Sequence, residues 1–168
     1  EKDGTLYSGF LYAGLMITQE GRVRVLEFNC RMGDPETQPI IMRLKSDFVA
    51  LIEHALAGTL DKAEAEWDRR VGLSVVLAAH GYPDAPRRGD VIHGLPAPEE
   101  DSHVFHAGTM LSGKDVVVNG GRVLTVTALG GNVSAAQRRA YEITEEIHFE
   151  GMQFRRDIGH RALGGGRK

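Results

Sequence analysis

The apolar positions along the chain change period several times, and each change marks a different element. Residues 6–18 (LYSGFLYAGLMIT) are apolar and aromatic, punctuated by glycine and without a helical repeat. They predict a strand with close backbone approach at Gly9 and Gly14. Gln19-Glu20-Gly21 reads as a turn, and Arg22–Asn29 (RVRVLEFN) alternates like a second strand. Together the two make a long antiparallel hairpin. Cys30–Glu36 (CRMGDPE) is a loop, because Gly33 and the Asp34-Pro35 step both break regular structure. From about residue 37 the period becomes helical. Ile40, Ile41, Leu44, Phe48, Leu51, Ile52 and Leu56 recur at spacings of three and four, which predicts one helix, with Gly58 where a C-cap is expected.

Residues 59–70 (TLDKAEAEWDRR) are polar and read as a linker. Leu73–Ala79 then predicts a strand, and residues 81–102 a Pro/Gly-rich excursion. A strand over His103–Met110 leads through Ser112-Gly113 to Val116–Val118. Asn119-Gly120 predicts a type I′ hairpin, whose two central positions need positive φ, with Arg122–Ala128 returning as the last strand. Ser134 with Gln137 fits a capping box that opens a helix at about 135, with Ala136, Ala140, Ile143 and Ile147 along one face. The final GGGRK reads as a disordered tail. The expected fold class is therefore α+β: a hairpin plus helix, then an antiparallel sheet with one covering helix.

Composition narrows the function. Among 168 residues, Lys and Arg total 20 and Asp and Glu 23, a formal net charge of −3, which argues against nucleic acid as a partner. Glycine accounts for 21 residues without a G-x-y period, so the excess belongs to turns and tight backbone sites. The lone Cys30 excludes an internal disulfide and a cysteine-ligated zinc site. No apolar run approaches the ~18 residues of a membrane span. Glu1-Lys2-Asp3-Gly4 has no signal-peptide character, so a reduced cytoplasm is the expected compartment.

Several tempting signals fail on chemistry. Gly108–Asp115 matches G-x4-G-K, but Asp115 stands where a P-loop has Ser or Thr, and the segment joins strands. His103 and His106 are three apart on a strand and leave opposite faces, so structural histidines are the better reading of His80, His93, His103 and His106. Asn132-Val133-Ser134 is a glycosylation sequon with no meaning here beyond a helix cap. Cys30 reads as a small core-facing residue rather than a nucleophile. The informative stretch is Glu27-Phe28-Asn29-Cys30-Arg31. Side chains at 27, 29 and 31 share parity, so an extended backbone points all three to one face, together with Val23 and Val25. A carboxylate and a carboxamide offer a hard divalent cation two or three oxygens with one negative charge, which suits Mg²⁺ bridging nucleotide phosphates. Arg31 adds a planar fork for a carboxylate or phosphate. A strand end whose polar residues cap a loop explains the same spacing.

Extended through Gln38, the stretch EFNCRMGDPETQ resembles the signature of the phosphoribosylamine–glycine ligases, or glycinamide ribonucleotide synthetases. E-x-N is shared across ATP-grasp ligases, whereas R-x-G-D-P-E-x-Q is specific to this family. YSGFLYAGLMI, GDVIHGLP, FHAGT, NGGRVLTVTALG and the AY of the last helix are similar to the same family in the same order. Met32 is a mild departure.

The resemblance covers essentially the whole chain. It implies that residues 1–66 are the C-terminal part of an ATP-grasp domain and 67–168 the ligase's C-terminal domain, the N-terminal part of the enzyme being absent. It implies ligation of glycine to 5-phosphoribosylamine with ATP, through glycyl phosphate, and no turnover by this chain alone. Glu27 and Asn29 then match the Mg²⁺ (or Mn²⁺) ligands, and Arg31 the arginine that holds the transferring phosphate or the acyl phosphate. Asp34 and Glu36 become candidates for substrate contact, glycine's ammonium included, although the helix dipole alone favours an acid at 36. Leu15 and Leu26 become candidates for packing on adenine, with ordinary core packing the alternative. Another ATP-grasp carboxylate–amine ligase should lack GDPETQ, and a non-catalytic binding module remains chemically reasonable.

Overall fold

A computed structural model describes Gly4 and residues 7–164. Two compact units emerge: one comprises the chain up to Thr37 together with Leu44–Asp68, the other Gln38–Arg43 and the chain from Arg69 onward. Glu1–Asp3, Leu6 and all of the GGGRK tail except Gly164 lie outside the described residues.

The first unit is built on the hairpin of β1 (Tyr12–Ile17) and β2 (Val23–Asn29). Its turn closes on Gly21, at φ 78°, and on a Thr18 N–H donated to the Arg22 carbonyl. β1 is shorter than the apolar run suggests, because Phe10 leaves the strand line to stack on Phe48 at 5.8 Å. The single helix expected after residue 37 is two: α1 (Thr37–Arg43) and α2 (Phe48–Leu56). The break is electrostatic as well as geometric. Asp47, in an extended conformation, accepts hydrogen bonds from the Val49 and Ala50 N–H groups and so starts a new helix. Lys45 meanwhile donates to the Glu66 carbonyl, and Leu44 forms an isolated bridge with Trp67, so the polar 59–70 segment is more than a linker. It also contains a 3-10 turn, Leu60–Lys62. α2 ends at Gly58 (φ 67°), with Thr59 N–H bonded to the His54 carbonyl and Gly58 N–H to that of Ala55, a Schellman closure.

The second unit carries the core. Its sheet has the order β3 (Val71–Ala78), β7 (Arg122–Gly130), β4 (Ser102–His106), with β7 antiparallel to both neighbours. The register sets Leu73, Ala128 and Ser102 in one row and Val75, Val126 and Val104 in the next. That apolar face packs under α3 (Val133–Glu146), whose Ala136, Ala140 and Ile143 join the core with Ile147 and Phe149. Each fully buried Val or Leu stabilises by ~1.5–3 kcal/mol. The other face carries Thr125 and Thr127, buried too, with the Thr127 hydroxyl bonded to Ser74 across the sheet at 2.7 Å. A four-residue helix, α4 (His160–Leu163), closes the described chain.

Three expectations need correction here. The strand expected over His103–Met110 is interrupted: β4 ends at His106, and β5 (Thr109–Ser112) pairs with β6 (Asp115–Val118) in a separate two-stranded sheet. Thus the P-loop lookalike is a hairpin. Asn119-Gly120 does not form a type I′ turn. Neither residue has positive φ, and β6 and β7 belong to different sheets. Glycine is required there for close approach instead, since a Cβ on Gly120 would lie 2.9 Å from the Gly108 Cα. Finally, the cap of α3 is Asn132, not Ser134: its side chain accepts the Ala135 N–H at 2.9 Å, while Gln137 donates to the Ile158 carbonyl. We expect Asn132→Ala to cost about 1 kcal/mol in chemical denaturation. Ser134→Ala should stay within about 0.5 kcal/mol.

Candidate active site

The candidate residues all lie in the first unit, on β1, on β2 and in the loop that follows. The hairpin register pairs Tyr12 with Asn29 and Gly14 with Glu27, then jumps so that Leu15 faces Val25 and Ile17 faces Val23. Leu26 is the extra residue of a β-bulge, with no partner on β1. Directly opposed residues share a face, and alternation along β1 separates Tyr12 and Gly14 from Leu15 and Ile17. So Glu27 and Asn29 do share a face, as their parity requires, but Val23 and Val25 lie on the other one. The bulge reverses the parity between residues 25 and 27. Those valines do not mark a core boundary either: they are 60% and 54% exposed, and Leu15 and Leu26 are 52% and 64% exposed. No described side chain packs Leu15 or Leu26 into a core. Cys30 is likewise exposed rather than core-facing, because no layer of described residues covers this hairpin.

Polar groups converge on the face of Glu27. The Tyr12 hydroxyl donates to Glu36 Oε1 at 3.4 Å. The Glu36 carboxylate, partial burial and the Glu27 carboxylate raise the phenol's pKa above 10.0, and the Arg31 guanidinium opposes them. Tyr12 thus senses Glu36, Glu27 and Arg31 together. Sequence reasoning missed it, and only the register with Asn29 could have brought it forward. Among the described residues the side chains of Glu27 and Asn29 make no hydrogen bond or ion pair. Their oxygens are therefore open to a hard cation, a donor set that fits Mg²⁺ completed by phosphate and water oxygens. Arg31 donates from Nη1 to the Met32 carbonyl at 2.9 Å. The Asp34-Pro35 peptide is cis, and Asp34 and Glu36 are both exposed on the loop ahead of α1.

The sequence profile of the phosphoribosylglycinamide synthetase C domain matches residues 72–161, and that of the same enzyme's ATP-grasp (A) domain matches residues 1–37. The chain belongs to the phosphoribosylglycinamide synthetase family. It is 57% identical over 163 residues to the phosphoribosylamine–glycine ligase of Ralstonia nicotianae, covering 97% of this chain and 39% of that protein. To the ligase of Vibrio cholerae it is 57% identical over 162 residues, covering 96% of this chain and 38% of that protein. The crystal structure of the Thermotoga maritima phosphoribosylamine–glycine ligase aligns with a TM-score of 0.78 at 42% identity, over 94% of this chain and 38% of that one. A biotin carboxylase domain of Hydrogenobacter thermophilus 2-oxoglutarate carboxylase, solved with MgADP, shares the fold at TM-score 0.61 and 16% identity, over 84% of this chain and 32% of that one. The chain spans about two-fifths of the length of the curated relatives it matches. Within the family's A domain, the β1–β2 hairpin is ATP-grasp structure.

The environment of Tyr12 has a measurable signature. In the synthetase chain its phenol should ionise above 10.0, and Glu36→Gln should bring it back down towards 10.0, as read by NMR titration of labelled tyrosines. A raised phenol pKa means a stabilising contribution that is complete below the unfolded pKa and is lost as pH climbs through the folded one.

Proposed function

We propose that this chain is part of an ATP-dependent carboxylate–amine ligase joining glycine to 5-phosphoribosylamine, with residues 1–66 in the ATP-grasp domain and 67–168 forming the C-terminal domain. The observation that carries the reading is one face of the hairpin. It presents Glu27 and Asn29 unengaged, beside Arg31 and a loop carrying Asp34 and Glu36. The relatives' name, phosphoribosylamine–glycine ligase, supports the same substrates.

The reaction divides into two displacements. A glycine carboxylate oxygen attacks the γ-phosphorus of ATP, the bond to the β-phosphate oxygen breaks, and ADP leaves. The amine of phosphoribosylamine then attacks the acyl carbon, the acyl C–O bond to phosphate breaks, and the amine gives up a proton. No protein nucleophile is needed, so the chain contributes position and charge. Glu27 and Asn29 would hold Mg²⁺ (or Mn²⁺), which supplies neutralisation of the nucleotide phosphates. Arg31 stabilises the transferring phosphoryl group through its planar fork. Leu15 and Leu26, both exposed, offer apolar contact for the adenine, and Asp34 and Glu36 face substrate, Glu36 towards the glycine ammonium. The rest of the longer protein completes the ATP site, so the chain alone is not expected to turn over. Cytoplasmic residence is proposed with it; among the described residues no helix is long and apolar enough to cross a membrane.

In the full-length protein, Glu27→Gln should raise the half-saturating Mg²⁺ concentration by about tenfold or more and lower kcat, because a ligand has lost its charge. Unchanged metal dependence with only a lowered Tm would favour a loop-capping role. Arg31→Lys keeps the charge but loses the fork, so kcat should fall by about 100-fold with ATP affinity nearly normal. Near-normal kcat for that variant would remove Arg31 from the chemistry.

A further inference from the structure

Glu36 can be explained by position alone, since an acid just ahead of a helix is favoured by the dipole. Two contacts go beyond that explanation. A Cβ on Gly33 would collide with Glu36 Oε2 and would lie 2.9 Å from the Glu36 Cβ. Gly33 is buried, and its φ is not in the left-handed region. Its glycine character is therefore used to seat the Glu36 side chain, not to bend the backbone. The other carboxylate oxygen, Oε1, accepts the Tyr12 hydroxyl at 3.4 Å. The carboxylate thus has one oxygen against Gly33 and the other on a phenol rooted in β1, on the face that bears Glu27 and Asn29. Among the described residues Glu36 has no cationic partner. A phenol orients a carboxylate without cancelling its charge, and this leaves Glu36 a full negative charge in a defined place.

We infer that Tyr12 and Gly33 are positioning residues that hold Glu36 ready for a cationic substrate group, the ammonium of an amino acid. This rests on the ligase reading above and adds residues that it does not use. Tyr12 touches Glu36 and not the reacting atoms, so its loss should act on binding of the amino acid rather than on phosphoryl transfer. Gly33→Ala should act in the same way, by displacing the carboxylate from its seat.

The test is a thermodynamic cycle in the full-length protein, following ADP release with glycine, 5-phosphoribosylamine and MgATP. Tyr12→Phe should raise the glycine KM about fivefold, the scale of one lost hydrogen bond to a charged group at a partly exposed site. kcat and the Mg²⁺ requirement should stay near those of the parent. Glu36→Gln should raise the glycine KM at least as much, and adding Tyr12→Phe or Gly33→Ala to it should change little more, because the residue being positioned has already lost its charge. Multiplying effects would overturn the inference, as would an unchanged glycine KM in Tyr12→Phe or in Glu36→Gln. A parent protein without glycine-dependent ADP release would refute the ligase reading itself, a separate outcome. Tyrosine NMR on the same samples checks that the Tyr12–Glu36 contact was present before it was removed.

Discussion

One extra residue in β2 governs what the hairpin presents. Two antiparallel strands in strict register would put Glu27, Asn29, Val25 and Val23 on the same face. Leu26, unpaired at the bulge, breaks that rule. Past it, the valines turn to join Leu15 and Ile17, and the polar pair turns to join Tyr12 and Gly14. The result is a sheet with an apolar side and a polar end, made from a strand whose sequence reads as uniform alternation. Bulges re-aim side chains in this way, and here the re-aimed pair is the one with free oxygens.

The two units bury apolar area very differently, and the difference follows from the layers available to each. In the second, β7 has a strand on both sides and a helix over one face, so every residue from Val123 to Gly130 is buried. Such a unit carries its own hydrophobic stabilisation. In the first, the buried hydrophobic side chains are missing altogether among the described residues, and Leu15, Ile17, Leu26 and Phe28 face outward. A two-stranded sheet by itself is marginal in water. A sheet of this kind belongs to a larger assembly of layers, in keeping with relatives more than twice as long.

Legibility in the sequence tracked how local the deciding interaction was. In the second unit β3, β7 and the face of α3 were readable, because alternation and a three-to-four spacing are direct consequences of burial, whereas the break between β4 and β5 was not. Cap identities were not. Asn132 and Ser134 both have capping side chains, and the choice fell to which backbone conformation β7 leaves behind. The break between α1 and α2 was hidden because Leu44 and Phe48 keep the helical spacing across it, while Asp47, the cap that starts α2, lies off the apolar repeat. Asn119-Gly120 misled for a related reason. The pair suits a tight turn, but a contact 12 residues away in sequence, at Gly108, uses the glycine first. At the candidate site, the shared face of Glu27 and Asn29 was readable from spacing, whereas the parity that would add Arg31 stops with β2 at Asn29; Tyr12 was not readable, because its significance depends on pairing with Asn29.

The two explanations of Glu36 differ in what they demand of their neighbours. A helix dipole favours an acid anywhere about the first turn and requires no single rotamer of it. It asks nothing of residue 33 and nothing of residue 12. The seat asks for both: a position without a Cβ beneath one oxygen and a donor beside the other. Only a fixed rotamer uses such a pair, and ordering a glutamate side chain costs up to about 2 kcal/mol of rotamer entropy. A surface acid serving only the dipole would gain nothing from that ordering. A carboxylate that must meet a small cation at a defined point gains the preorganisation, because the entropy is lost on folding rather than on binding.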